Sequence, residues 1–295
     1  MDSNDVNALY NSGDAYLEKG EYDQAIATYD QAIQLDSKYA KAYFKRGKAY
    51  YMGKKDYRRA IDDYSKAIEL DPNYADAYSD RSLMYFFTGN GNGALTDLNR
   101  AIQFDPNNYN AFYRRGILFD TVGDRDRAIA DFSQAIKIDP NNAEAYSARG
   151  TAYSNKGDHD RAIADLDKAI QINPKNKLHY WGRALSYVTK RDSDRAIADF
   201  SQVIQLDPDF EQAYRSRAIE YCMKRDYDRA IADYSQMIQI NPRNVDAYFE
   251  RGKVYMRVTG GDDKAIADWE AVLKIEPNNP NARKYIDMIR QNSGR

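Results

Sequence analysis

The chain repeats itself. Segments reading Ala-Ile-Ala-Asp, or close variants of it, return every 34 or 35 residues, and aligning the 295 residues on them gives eight units with nothing left between. A fixed period of this length restricts the fold to an array of small, similar units, each of which needs a neighbour to bury its apolar face. The units run 6–39, 40–74, 75–108, 109–142, 143–176, 177–210, 211–244 and 245–279, with an N-terminal extension at 1–5 and a tail at 280–295.

Numbering each unit from 1 to 34 places the extra residue of the second and eighth units in the turn before position 20. Position 20 is alanine throughout, from Ala25 to Ala265, and position 11 is always aromatic, as in Tyr16, Phe119 and Tyr255. Position 8 is small, as in Gly13, Ser82 and Ala184, and position 24 is large and apolar, as in Tyr29, Leu98, Phe132 and Trp269. Position 32 is proline in seven units. Positions 4, 7, 8 and 11 share one face of a first helix, and positions 20, 24, 27 and 28 one face of a second. Each unit is therefore a two-helix hairpin whose small residues let the backbones approach. Gly20-Glu21, Gly123-Asp124 and Gly157-Asp158 read as a left-handed stop followed by an acidic helix start. The Asp-Pro and Asn-Pro pairs end the second helix, and Asn108 and Asn142 stand where the next first helix needs a cap.

This pattern resembles the tetratricopeptide repeat family over residues 6–279. The resemblance implies an all-α fold, a right-handed superhelical solenoid of antiparallel helix hairpins, whose concave inner face binds extended peptides or partner helices. The tail around Asn281–Arg290 is similar to the family's capping helix, with Ala282, Tyr285, Ile286 and Ile289 placed to cover the last unit.

One position departs from the family. Its usual leucine at position 7 is arginine in seven units (Arg46, Arg81, Arg115, Arg149, Arg183, Arg217, Arg251), and position 23 is aspartate in the same seven. The first unit has Ser12 and Thr28, so both members are missing together. A half-buried lone charge is costly. The matched occurrence therefore predicts Arg–Asp pairs bridging helices within or between adjacent units, a structural ladder and not a row of cations awaiting acidic ligands.

Catalytic constellations are absent from the sequence, so no enzyme, cofactor or metal is expected. Its two histidines, His159 and His179, fall on different faces without a ligand at i+3 or i+4, which suggests solvated or capping roles. Gly89, Gly91 and Gly93 lie in a turn with no Gly-Lys-Ser/Thr, so they are not a phosphate loop. The single cysteine, Cys222, sits among apolar neighbours as a neutral thiol and cannot form an internal disulfide. Forty-three Lys and Arg against 45 Asp and Glu leave no basic excess for nucleic acid. No apolar run approaches a membrane span, and the acidic start lacks a signal-peptide pattern. These features give a cytoplasmic expectation, or an exported protein if a leader has been removed.

In the family the first helix lines the groove with positions 2, 5, 9, 12 and 13, and what occupies them speaks to ligands. Units two to four supply Phe44, Tyr51, Leu83, Phe86, Phe87, Tyr113 and Ile117; unit five is polar; units six to eight supply Trp181, Leu185, Val188, Ile219, Met223, Phe249 and Met256. Exposed apolar surface on that scale marks a partner site. Positions 9 and 12 also pack on neighbouring units, so position 5, with Phe44, Tyr113, Trp181 and Phe249, is the cleaner indicator of ligand contact. The family's basic clamp for a C-terminal carboxylate is not reproduced: Asn11, Lys45 and Arg114 hold isolated position-6 slots only. The expected function is a non-enzymatic scaffold or adaptor that takes up a protein or peptide segment. Carriage of an apolar small molecule or lipid, self-association, and a role as the repeat part of a longer protein are the alternatives.

Overall fold

In the computed structural model, residues 3–293 are described, with side chains over 5–291. Seventeen helices and no strand make up the described residues: α1 (Ser3–Glu18), α2 (Tyr22–Leu35), α3 (Ala40–Lys54), α4 (Tyr57–Leu70), α5 (Ala75–Phe87), α6 (Gly91–Phe104), α7 (Tyr109–Thr121), α8 (Arg125–Ile138), α9 (Ala143–Asn155), α10 (His159–Ile172), α11 (Lys177–Thr189), α12 (Ser193–Leu206), α13 (Glu211–Met223), α14 (Tyr227–Ile240), α15 (Val245–Tyr255), α16 (Asp262–Ile275) and α17 (Pro280–Ser293). The expected extension at 1–5 does not stand apart, because residues 3–5 continue into α1; residues 1 and 2 lie outside the described ones.

Local chemistry sets the helix ends. Six second helices start on a side-chain cap: Asp56, Asn90, Asp124, Asp158, Asp192 and Asp226 each accept the backbone N–H three residues on. Glu21 does not, contrary to the acidic start expected there; its longer side chain is not among those that reach this geometry well. Gly20, Gly123 and Gly157 adopt φ of 77°, 83° and 88°, the left-handed stop expected of them, while Lys55, Arg191 and Arg225 take the same conformation at 52°, 59° and 61° without being glycine. Second helices end on extended residues such as Asp71, Asp105 and Asp207, each preceding a proline. Asn108 caps α7 through the Ala111 N–H, and Asn142 accepts the Glu144 N–H.

The chain forms two compact units, Met1–Ala152 and Tyr153–Arg295. In the first, α1 packs on α2, α3 on α4, α5 on α6 and α7 on α8; α2, α4 and α6 also meet the next first helix, and α5 touches α7 directly. Ala25, Ala60, Ala94 and Ala128 are buried where the helices of each hairpin cross. The small residue opposite is needed: a Cβ on Gly116 would lie 2.6 Å from Cε1 of Phe132. In the second unit, hairpins α11/α12, α13/α14 and α15/α16 repeat the arrangement around Ala196, Ala230 and Ala265. There α17 packs on α16, burying Ala282, Ile286 and Ile289 against Trp269 and Val272.

The Arg–Asp pairs form within hairpins. Arg46 grips Asp63, Arg81 grips Asp97 and Arg115 grips Asp131 in the first unit; Arg183 grips Asp199, Arg217 grips Asp233 and Arg251 grips Asp268 in the second. All six are bidentate, with buried aspartates. Each guanidinium also stacks near the aromatic ring three residues earlier, Tyr43, Tyr78, Phe112, Tyr180, Tyr214 and Tyr248 respectively. Its remaining Nη1 reaches back to position 25 of the preceding hairpin: Asp30, Ser65, Asn99, Asp167, Ser201 and Ser235 in the same order. The hydrogen bond that Arg183 donates to Asp199 holds its guanidinium above the ordinary arginine range, and the one that Arg251 donates to Asp268 does the same there. Burial outweighs the facing arginine at Asp63 and Asp233, whose carboxyls sit above their usual value.

His179 corrects an expectation. Neither solvated nor a cap, it is fully buried in α11. Position 3 is the reason: Ala42, Ala77, Ala111, Ala145, Ala213 and Ala247 occupy it in other repeats and are likewise buried. His159 is half-buried, with Nδ1 3.4 Å from Ser154 Oγ.

Candidate partner-binding face

Among the described residues, seven of the eleven exposed large apolar side chains (Met52, Phe86, Phe87, Leu185, Ile219, Met223 and Met256) stand at positions 9, 12 and 13 of the first helices; Leu35, Val122, Leu178 and Leu206 lie elsewhere. In the first unit the first-helix group includes an aromatic cluster. Phe87, 46% exposed, lies nearly parallel to Tyr57 at 5.3 Å and to Tyr51 at 6.1 Å between ring centroids, and Phe86, 37% exposed, meets it edge-on. Such offset pairs add to the stability of each ring's placement without removing it from solvent.

Beside the cluster is a pocket of about 220 Å³, walled by Leu83, Phe86, Phe87, Leu98, Ile117 and Leu118, with Arg114 on one side. Its origin is local. The second and fourth hairpins place a ring, Tyr64 and Phe132, at position 24, whereas the third has Leu98. Replacing an aromatic ring by a leucine leaves volume unfilled under α5 and α7.

A second pocket of about 220 Å³ adjoins the first through Ile117, which lines both. Its wall is mixed: Tyr113, Ile117, Phe132 and Ala148 supply apolar surface, and Asp120, Thr121, Glu144, Ser147 and Thr151 supply oxygens. Oδ1 of Asp120 is buried without a hydrogen-bond partner among the described residues. Burial also pushes up the Tyr113 phenol, with the Glu144 charge adding to the effect.

Three cations of the first helices, Arg114, Lys48 and Lys45, already have partners. Arg114 Nη1 donates to Ser79 O at 2.6 Å, to Ser79 Oγ at 2.9 Å and to Asp80 Oδ1 at 2.8 Å, while Lys48 stands 3.7 Å from Asp80. Lys45 donates to Asp14 at 3.1 Å. The first unit's own carboxylates thus neutralise the position-6 cations.

Position 5 is not the clean indicator expected. Phe44 is only 4% exposed and belongs to the core, packed at 5.7 Å on Tyr64 and 4.9 Å on Tyr74. The others are half-buried for the same reason, because a position-5 ring lies over the position-24 side chain of its own hairpin. Tyr113 rests on Phe132 and Tyr109, Trp181 on Phe200 and Phe210, Phe249 on Trp269 and Tyr285. Tyr51, Leu83 and Ile117 are half-buried but line the open cluster or the pocket.

In the second unit Leu185, Ile219, Met223 and Met256 are exposed and Val188 is half-buried; Met223 is the most open at 75%. Burial pushes the adjacent Cys222 thiol above its usual value, which keeps it protonated and poorly nucleophilic at neutral pH. Sequence reasoning missed Tyr57, Asp120 and Glu144: Tyr57 begins a second helix, and the two carboxylates match no repeating pattern. Among the described residues no group of three or more His, Cys, Asp or Glu could hold a metal ion, and no helix is long and apolar enough to cross a membrane.

Family models described as TPR repeat match residues 13–53, 54–89, 122–157 and 220–258, and models described as tetratricopeptide repeat match 143–176 and 182–238. The chain belongs to the tetratricopeptide repeat family. Its TPR hairpins have the fold of the C-terminal part of a TPR repeat-containing protein from Cytophaga hutchinsonii (21% identity, TM-score 0.70, covering 84% of this chain and 98% of that one). They also match a tetratricopeptide repeat protein from Parabacteroides merdae (19% identity, TM-score 0.58, covering 85% and 98%). The MamA protein is 30% identical over 58% of this chain and 92% of its own, with a TM-score of 0.49. No curated protein sequence matches the chain. As a TPR protein it is, in general terms, a protein-interaction scaffold.

Proposed function

We propose that the chain is a non-enzymatic adaptor, organised as the eight hairpins 6–39 to 245–279 followed by α17, that captures a peptide segment of a partner protein on its first-helix face. The side-chain-sized apolar pocket bordered by Phe86 and Phe87 carries this reading. A void walled by large apolar groups and open to solvent gains by receiving an apolar anchor, and a few such anchors supply most of the affinity of an interface. Leu185, Ile219, Met223 and Met256 are exposed apolar side chains on the first helices of the other unit that can add further contacts. The balance of 43 basic against 45 acidic residues favours a protein partner over nucleic acid. At about 220 Å³ the pocket falls below the ~300–1,000 Å³ usual for enclosed small-molecule ligands, which favours a side chain over carriage of a lipid.

Selection of a random 12-residue phage-displayed peptide library on the full chain tests the proposal. Selected peptides should share a bulky apolar residue and lose at least about tenfold in affinity against Phe86→Ala, as expected for a central anchor. Failure to select any peptide, or peptides indifferent to both Phe86→Ala and Met223→Ala, would refute it.

A further inference from the structure

The two adjoining pockets of the first unit differ in chemistry. The one under Leu98 is apolar, and its only charged lining group, Arg114, already donates to Asp80 and Ser79. The one beyond Ile117 is lined by two carboxylates, Asp120 and Glu144, and three hydroxyl residues, Thr121, Ser147 and Thr151, over an apolar floor of Phe132 and Ala148. No cationic side chain lines it. Asp120 presents Oδ1 buried and without a hydrogen-bond partner, a state that leaves the desolvation of a polar atom uncompensated until a donor arrives.

Resting on the peptide-capture reading above, we infer that this face selects a segment carrying a bulky apolar side chain and, a few residues away, a lysine or arginine. The apolar group would enter the pocket bordered by Phe86, Phe87 and Leu98. The cation would enter the neighbouring pocket and donate to Asp120. An apolar stem ending in a donor suits both halves of that second pocket, since the methylenes of Lys or Arg cover apolar surface while the head meets the carboxylate. Acidic segments are disfavoured for the complementary reason: Arg114, the one cation that lines either pocket, is already bonded to Asp80.

The same peptide selection tests the inference when run on the parent chain and on Asp120→Asn in parallel. Peptides selected on the parent should be enriched in Lys or Arg near the apolar residue. For one such peptide, replacing its basic residue by norleucine should weaken binding about tenfold or more to the parent but less than twofold to Asp120→Asn. A chemical-denaturation curve for the variant matching the parent confirms that the fold is retained. If Asp120→Asn does not fold, Thr151→Val, which lines the same pocket, replaces it, and the penalty for norleucine should again shrink. Apolar peptides without basic enrichment, or a basic preference undiminished in the variant, would overturn this inference and leave peptide capture standing. Selection of no peptide at all would overturn both.

Discussion

Arg217 holds Asp233 with two parallel hydrogen bonds, Nε to Oδ2 at 2.9 Å and Nη2 to Oδ1 at 2.6 Å, while its Nη1 crosses to Ser201 of the preceding hairpin at 2.8 Å. One side chain thereby ties three helices, α13, α14 and α12. Removing either charge leaves the other buried without its partner. Arg217→Leu and Asp233→Leu should each cost about 3–5 kcal/mol, and the double variant much less than their sum. Urea denaturation of the four proteins measures the coupling, and additive losses would refute it. Arg217→Lys should not rescue, because an ammonium cannot fork across both carboxylate oxygens and still reach Ser201.

Arg225 ends its helix at φ 61°, where the repeats ending at Gly123 and Gly157 have no Cβ to strain. Replacing it with glycine should stabilise the chain by about 0.5–1 kcal/mol, the relief of a left-handed L-residue less the added freedom of the unfolded state. The reverse change, Gly123→Ala, meets no atom within 4 Å yet should lose about 1 kcal/mol from backbone strain alone. Denaturant midpoints with unchanged slopes check both.

Acid should destabilise the chain through its exposed helix starts. The side-chain hydrogen bond from Arg127 holds Asp124 below the ordinary 3.8, and Arg195 does the same for Asp192. A carboxyl depressed in the folded state stabilises it above the unfolded value and loses that contribution as pH falls through the folded value. Asp63 and Asp233, raised by burial, act in the opposite sense. Asp192→Asn keeps the cap acceptor but not the charge. Its thermal midpoint should therefore fall less steeply than the parent's between about pH 5 and pH 3. A slope equal to the parent's would count against the assignment.

The hairpin architecture was legible because it is written eight times: Ala25 and its equivalents, the position-24 residues and the prolines recur at one spacing. The Arg–Asp partners were legible because they appear and vanish together. The arginines' third contact was not, since its acceptor changes from Asp30 to Ser65 to Asn99 and so leaves no recurring letter. The candidate face was only half legible. Leu83, Phe86, Phe87, Ile117 and Met223 lie on open surface or line the pocket, but Phe44 does not, because position alone does not show that a ring folds back onto its own hairpin. The pocket itself arises from a missing ring at Leu98, and an omission shows only when neighbouring hairpins are compared in three dimensions.

The reach of Arg217 to Ser201, repeated by Arg81 to Ser65 and Arg251 to Ser235, constrains how adjoining hairpins meet. A seam held by oily surfaces alone tolerates slippage by a helical turn of about 5.4 Å, since leucine and alanine fit many neighbours. A forked cation fixed at two oxygens on one side and one on the other does not. A shift by one turn at such a joint would break the arginine's bond to the preceding hairpin, so the bond sets the register of the seam.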